Sequence, residues 1–386
     1  MSTPAATRPG GVWSTLVGQE RAIEALQRAA HGQGMTHAWL FTGPPGSGRS
    51  NAAIAFAAAL QCPRGGCGEC KDCATVLAGS HPDVSVTRTD KAIITVDEAR
   101  DLVRASALHP AGDRWQVMIV EDADRLHERA NNALLKAIEE PTARTVWLLC
   151  APTAEDVLTT IRSRSRLVVL ATPTAEQVAR FLVEKVGVAD SVAAYAARAS
   201  QGHIGRARAL ALDEATRRRR REVTSIPSRL TSLASCMNAA ANLVDIAKDE
   251  TAAITETANA REVEQLGSLY GTDPKARTSR SYKAAAKELA DEQKRREKRR
   301  VMDVVDRCLM DLTSVYRDAI ALGTGSGSDL VNEEMREEIA DIARRSSPEQ
   351  HLRRIDAIFK ARDQMMEFNT NLLLSLEGMM VALRIR

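Results

Sequence analysis

Gly43-Pro44-Pro45-Gly46-Ser47-Gly48-Arg49-Ser50 has the spacing of a phosphate loop, GxxxxG followed by a basic residue and a serine. Glycines let the backbone curl so that successive N–H groups point inward at a phosphate, and the positive end of the following helix adds to the attraction. In such loops a lysine reaches the β- and γ-phosphates and the Ser/Thr hydroxyl holds Mg2+. Ser50 keeps the hydroxyl here, but Arg49 stands in the lysine position. Arginine preserves the charge, yet its wide planar fork cannot occupy the place of a compact ammonium. Gly43, Gly46, Ser47, Gly48, Arg49 and Ser50 are the candidate contacts for ATP or ADP with Mg2+; the plainer alternative is a Gly/Pro turn between strand and helix.

The expected companion is an acidic pair closing another strand, Asp for the metal and then Glu to polarise the attacking water. The run 117–120 ends in Glu121-Asp122, the reverse order, so both side-chain lengths are wrong for hydrolysis. The plainer alternative, an acidic N-cap cluster before the next helix, is compatible with that role. The loop's backbone N–H groups survive these changes, so nucleotide binding stays open while hydrolysis is disfavoured.

Cys62, Cys67, Cys70 and Cys73 form two overlapping CxxC units with Gly65, Gly66 and Gly68 among them. Four thiolates at this spacing can surround one Zn2+ with Zn–S bonds of about 2.3 Å, and glycines permit the tight turns. No ligand position is left for a catalytic water, so such a site is structural. An iron–sulfur cluster is the alternative ligand for four cysteines. Clustered cysteines in an intracellular chain point to metal rather than to a disulfide framework.

These groups must be positioned by an α/β frame. Short β-type runs at 37–42, 84–87, 115–121, 146–151 and 167–170 are separated, after the second, by helical segments such as 96–107 and 131–139. Near-continuous apolar strands alternating with helices predict a parallel sheet covered on both faces. After Pro173 the strand pattern stops; 174–212 reads as short helices broken at Gly187, Gly202 and Gly205, and the remainder is almost wholly helical. The expected organisation is an α/β domain over 1–173 with the cysteine module at 62–73, a small helical lid over 174–224, and a helical collar domain over 225–386.

The 386-residue chain carries 53 basic and 50 acidic side chains, a net charge of +3 that gives no global field for nucleic acid. The N-terminal residues 1–11 lack the apolar core of a signal peptide, and the longest apolar stretch, 52–60, is far short of the roughly 20 residues of a membrane span. The composition therefore predicts a cytoplasmic protein with no membrane partner.

Several segments together resemble the AAA+ clamp-loader subunits of bacterial DNA polymerase III, and among them the delta-prime type: Val17-Gly18-Gln19, residues 37–50 (HAWLFTGPPGSGRS), the cysteine knot after the loop helix, 132–141 (NALLKAIEEP), 148–153 (LLCAPT), 161–165 (IRSRS) and 369–383 (NTNLLLSLEGMMVAL). The likeness is dense over 12–210 and thin over 211–360. It implies an AAA+ fold and a stator subunit that does not hydrolyse ATP itself. Its partners would be gamma/tau and delta subunits in a hetero-pentameric ring that loads the sliding clamp on primed DNA, at the nucleoid-associated replisome. The family's Ser-Arg-Cys motif, which lends an arginine finger to ATP on a neighbouring subunit, corresponds to Ser163-Arg164-Ser165, so Arg164 is the residue implied to act in trans. A surface arginine in a basic turn is the plainer reading. Thr153 matches the family's polar sensor. The GxxR arginine of the second sensor is replaced by Gly205, with Arg206 one residue late.

The basic runs 217–221 and 294–300 lack aromatic residues for stacking on bases, and each reads as a solvated helix face, with phosphate contact as the alternative. An active gamma/tau-type ATPase and a zinc-dependent nucleic-acid module on an inactive AAA+ frame are the competing functions.

Overall fold

The computed structural model describes residues 10–89, 93–270, 280–367 and 371–384. Residues 271–274 (GTDP), where the sequence places an interruption of the helical pattern, and Asn369 and Thr370 at the head of the C-terminal motif, lie outside the described residues.

The first unit opens with a short 3-10 helix (Gly11–Thr15), followed by α1 (Glu20–Ala30), β1 (Ala38–Thr42), α2 (Arg49–Gln61), α3 (Lys71–Leu77), β2 (Val84–Thr87) and α4 (Val96–Ser106). Then come β3 (Gln116–Val120), α5 (Glu128–Glu139), β4 (Thr145–Ala151), α6 (Thr159–Arg162) and β5 (Arg166–Val169). The five strands form one sheet in the order β2-β3-β4-β1-β5, every pair parallel. Every residue of β1, β3 and β4 is buried, the pattern of strands covered on both faces.

Strand alternation sorts the core into two layers. Trp39, Phe41, Val117, Ile119, Val146, Leu148 and Cys150 face α1 and α2. Leu40, Met118, Val120, Trp147 and Leu149 face α4 and α5 on the other side. The alanines of α2, Ala52, Ala53, Ala55, Ala57, Ala58 and Ala59, are all buried, and their small side chains let the helix lie close to the sheet. Phe56 then reaches Trp39 edge-on, ring centroids 5.0 Å apart.

Helices α7 (Ala175–Phe181), α8 (Asp190–Ser200) and α9 (Ile204–Leu212) hold their own apolar cluster around Val178, Leu182, Ala196 and Leu210. A π-helical turn over Leu182–Val186 ends at Gly187, whose φ of +78° favours glycine.

The chain divides into two compact units, Met1–Leu212 and Asp213–Arg386. The second contains α10 (Glu214–Thr224), α11 (Ile226–Arg229), α12 (Leu233–Leu269), α13 (Arg280–Thr324), α14 (Arg336–Arg345), α15 (Pro348–Glu367) and α16 (Leu372–Leu383). Helix α10, grouped by sequence with residues 174–224, thus belongs with the helices that follow it. Its first turn is capped by Asp213, whose carboxylate accepts from the N–H groups of Ala215 and Thr216 at 3.0 and 3.1 Å. The long helices α12 and α13 run antiparallel, with Arg307 on Glu250 (2.6 Å) near the core and Asn259 on Glu297 (2.7 Å) farther out. Leu243, Leu309, Leu312, Ile358, Leu376 and Met380 form the apolar centre of this unit.

The arginine run 217–221 is only in part the solvated face expected from its composition, since Arg218 and Arg221 are exposed but Arg220 is buried. Arg220 is only 4% exposed, with Nε 3.0 Å from Asp311 and Nη1 3.3 Å from Glu334. Asn332 also accepts from it and is itself held by Asp318, through Asn332 N–H at 2.8 Å and Nδ2 at 2.9 Å. Arg219 pairs with Glu250 (3.5 Å) and Arg221 with Glu338 (2.6 Å). A buried guanidinium is tolerable because each charge on it meets an oppositely charged or accepting group. Among the described residues, no helix is long and apolar enough to cross a membrane.

Candidate functional site

The phosphate-loop segment bridges β1 and α2 at the C-terminal edge of the sheet, where parallel α/β sheets place their ligands. Gly43 N–H donates to Pro152 O at 3.1 Å, which brings the end of β4 and Thr153 beside the loop. Gln19 clamps the far side: its amide nitrogen donates to Ser47 O (3.4 Å) and Ala171 O (2.7 Å), and its oxygen accepts from Ala171 N–H (3.1 Å). Gln19 therefore ties the loop to the strand exit after β5. Gly46 has φ +85°, and a Cβ there would sit 2.6 Å from the Cβ of His203. His203, at the start of α9, thus lies directly against the loop, a residue that no motif in the sequence singles out.

Arg49 folds back, and its Nη1 donates to the carbonyl of Gly43, the first residue of its own loop. The guanidinium is engaged by the loop rather than free to meet a phosphate. It also lies near enough to Cys150 to favour a thiolate there, but burial dominates and, with the Glu121 carboxylate, pushes that thiol well above its ordinary range. Ser47 Oγ is buried and has no hydrogen-bond partner among the described residues, and Ser50 lies in the first turn of α2.

The acidic pair does not face the loop as two free carboxylates. Glu121, 8% exposed, is paired at 2.6 Å with Arg88 Nε, which follows β2. Asp122 precedes a 3-10 turn over Ala123–Arg125 and lies 4.0 Å from Arg125 Nε. Thr153 is exposed, and its N–H donates to Asp156 at 2.9 Å. The fold brings Gly43, Gly46, Ser47, Gly48, Arg49, Ser50 and Thr153 to one sheet edge, with Glu121 and Asp122 at the end of β3, beyond β4. Arg206 contributes a backbone N–H to His203 Nδ1 at 3.3 Å.

Arg164 lies elsewhere. Along the sheet, Arg166 is level with Trp39 and Val169 with Thr42, so β5 begins at the edge opposite the phosphate loop. Arg164, two residues before β5, is therefore at the far end of the sheet from its own loop. Its Nε is 2.8 Å from Glu139 Oε1, at the end of α5, and its Nη1 donates to Thr160 O (3.0 Å) and Ser163 Oγ (3.1 Å). Some 42% of its side chain stays exposed, so the guanidinium is held in place yet open to an incoming group.

The four cysteines converge. Their sulfurs all lie within 4.8 Å of one another, with Cys62 to Cys67 at 3.6 Å and Cys62 to Cys70 at 3.7 Å. Bonds of about 2.3 Å in a tetrahedron place sulfurs roughly 3.8 Å apart, so the cluster can hold one metal ion. Backbone N–H groups surround it: Arg64 and Cys67 donate to Cys62 Sγ, Cys70 to Cys67 Sγ, Cys73 to Cys70 Sγ and Gly68 to Cys73 Sγ, at 3.3 to 3.4 Å. N–H donors stabilise thiolates, and they bring the Cys67 thiol down to about 6. Burial pushes the Cys73 thiol in the opposite direction. The knot also fastens the chain around it: Val12 N–H donates to Gly66 O (3.1 Å), Trp13 Nε1 to Gly65 O (3.3 Å) and Arg114 to Cys62 O (3.3 Å). Such a centre is structural, since the sulfurs face one another and no open ligand position remains.

Comparison with known proteins bears on the α/β domain. Residues 18–174 match the family described as DNA polymerase III, delta subunit. The DNA polymerase III subunit delta' of Pseudomonas aeruginosa is 39% identical over 159 residues, 40% of this chain and 44% of that protein. The subunit delta' of Escherichia coli is 36% identical over 180 residues, 45% of this chain and 54% of that one. The subunit gamma/tau of Mycobacterium tuberculosis is 33% identical over 158 residues, 40% and 27% of the two chains. The matched segments thus span about half, or less, of these relatives. A DNA polymerase III gamma subunit-related protein of Thermotoga maritima covers 95% of this chain and 100% of its own, at 15% identity and a TM-score of 0.42. Over residues 18–174, the chain is thus similar to the delta, delta' and gamma/tau subunits of DNA polymerase III.

Proposed function

We infer that the chain is the delta-prime stator of a DNA polymerase III clamp loader. In this reading it occupies a hetero-pentameric ring with gamma/tau and delta subunits, takes part in ATP-dependent loading of the sliding clamp on primed DNA, and resides in the cytoplasmic replisome at the nucleoid. The observation that carries the reading is the separation of Arg164 from its own phosphate loop by the length of the sheet. An arginine so placed can act only on a nucleotide presented by a neighbour, where its charge would stabilise the transferring phosphoryl group.

The state of the chain's own loop supports the same division of labour. Arg49 is turned onto Gly43 and Glu121 is neutralised by Arg88, so neither usual contributor to hydrolysis is available. ATP or ADP with Mg2+ could still meet Gly43, Gly46, Ser47, Gly48 and Ser50 through backbone N–H groups and hydroxyls, with Asp122 and Thr153 nearby. The cysteine knot would hold a structural Zn2+, its all-thiolate set favouring a soft or borderline ion.

The second reading is an active gamma/tau-type ATPase, favoured by the gamma/tau relatives matching the same domain. Steady-state ATP turnover separates the two. A stator gives no turnover above background when purified alone. Turnover by the isolated chain that disappears in Asp122→Asn would instead establish the ATPase.

A further inference from the structure

The outer half of the α12–α13 hairpin carries a feature that the stator reading does not use. At 100° per residue, Arg280, Lys283, Lys287, Asp291, Lys294 and Lys298 fall within about 40° of one line along α13. All six are exposed. The opposite face of the same helix is occupied by α12: Gln293 donates to Asn259 O (3.1 Å) and Glu262 (3.0 Å), Arg296 to Glu262 (2.8 Å), and Asn259 to Glu297 (2.7 Å). The carboxylates of Glu262 and Glu297 are thereby turned inward across the hairpin. Five cations remain on the outer line with a single acid, Asp291, among them. Lys283, Lys287 and Lys294 pair with no carboxylate among the described residues.

We propose that this stripe grips the phosphate backbone of a nucleic-acid duplex without reading its sequence. From Arg280 to Lys298 it extends about 27 Å on one straight helix, at 1.5 Å per residue. Double-stranded DNA offers a negative charge every ~1.7 Å along its axis, so a rigid row of cations meets a dense row of partners. The stripe has no aromatic side chain on which unpaired bases could stack, which disfavours single strands. It also lacks the apolar or aromatic anchor that a protein interface of comparable length requires at its centre. The inference does not depend on Arg164, on the phosphate loop or on the stator reading.

The test is fluorescence anisotropy of the full chain with a labelled 30-base-pair duplex, repeated with its sequence scrambled, its single strand, and a poly-glutamate peptide. With five phosphate contacts, the affinity for duplex should fall about 500-fold between 50 and 200 mM salt. For the triple variant Lys283→Gln/Lys287→Gln/Lys294→Gln that fall shrinks to about tenfold, as two contacts remain. Scrambling the sequence should change nothing, and Arg218→Gln, on α10, should behave as wild type. Circular dichroism of the triple variant should match wild type, because all three positions are exposed. The proposal is overturned if duplex binding is absent or independent of salt, or if the triple variant binds like wild type. Tighter binding of the single strand or of poly-glutamate than of duplex overturns it equally.

Discussion

Glu139 Oε1 and Arg164 Nε are joined at 2.8 Å at the end of the sheet away from the phosphate loop. Both side chains are about two-fifths exposed, so the contact adds only ~0.2–1 kcal/mol to stability. Its consequence is orientation: the carboxylate holds Nε while Thr160 O and Ser163 Oγ hold Nη1. Glu139→Ala should leave the melting temperature nearly unchanged. In a reconstituted loader it should lower the partner's DNA-stimulated ATP hydrolysis several-fold, because an arginine held through Nη1 alone is less firmly oriented. An unchanged rate would remove Glu139 from the positioning role.

The cysteine knot predicts close to one zinc per chain by elemental analysis of protein purified without added metal. Thiols must lose their protons to bind, so metal should be retained at neutral pH and released on acidification. Cys73→Ser should abolish the metal and loosen the first unit, since Val12, Trp13 and Arg114 all hydrogen-bond to the knot's backbone. Protein that contains no metal, or a visible absorption band typical of iron–sulfur, contradicts the zinc assignment.

Arg220→Ala should destabilise the second unit by about 3–5 kcal/mol, seen as a lowered urea midpoint, because Asp311 would be left buried without its partner. Arg221→Ala, whose side chain and Glu338 are both nearly half exposed, should cost under about 1 kcal/mol. Equal effects from the two variants would mean that the buried network carries no special weight.

His351 provides a pH signature in the same unit. Burial and the adjacent Arg354, whose Nη1 lies 3.1 Å from its Nδ1, lower its pKa from 6.5 to about 4. The unfolded chain therefore binds a proton that the folded chain refuses between those values. Stability should fall as pH drops from about 6.5 to about 4 and gain nothing from this group above 6.5. His351→Gln should flatten that part of the melting-temperature profile, and a profile identical to wild type would contradict the assignment.

The three central strands were legible because strands buried on both faces must be apolar almost throughout, as residues 146–151 are. The cysteine cluster was legible because metal geometry fixes ligand spacing. The phosphate loop showed itself through its glycines, and Arg49 through its departure from lysine. What could not be read were pairings across long separations. Glu121 gave no sign of Arg88, 33 residues earlier, nor Gly46 of His203 lying against it. The five-arginine run carried no periodic signal to single out Arg220, whose acid lies 91 residues away. Nor does local sequence encode that α10 packs with the C-terminal helices, since Arg220 is what anchors it there. The opposition of Arg164 and the loop became visible only with the register of β1 against β5.

The most direct measurement compares wild type with Arg164→Ala in a mixture with a lysine-bearing gamma/tau-type subunit, delta, sliding clamp and primed DNA. A finger acting in trans should be worth about 10³-fold or more in the rate of the site it completes. The account predicts that the variant assembles normally and that DNA-stimulated ATP hydrolysis drops sharply at that one site. Hydrolysis at the wild-type rate by a fully assembled complex would contradict it.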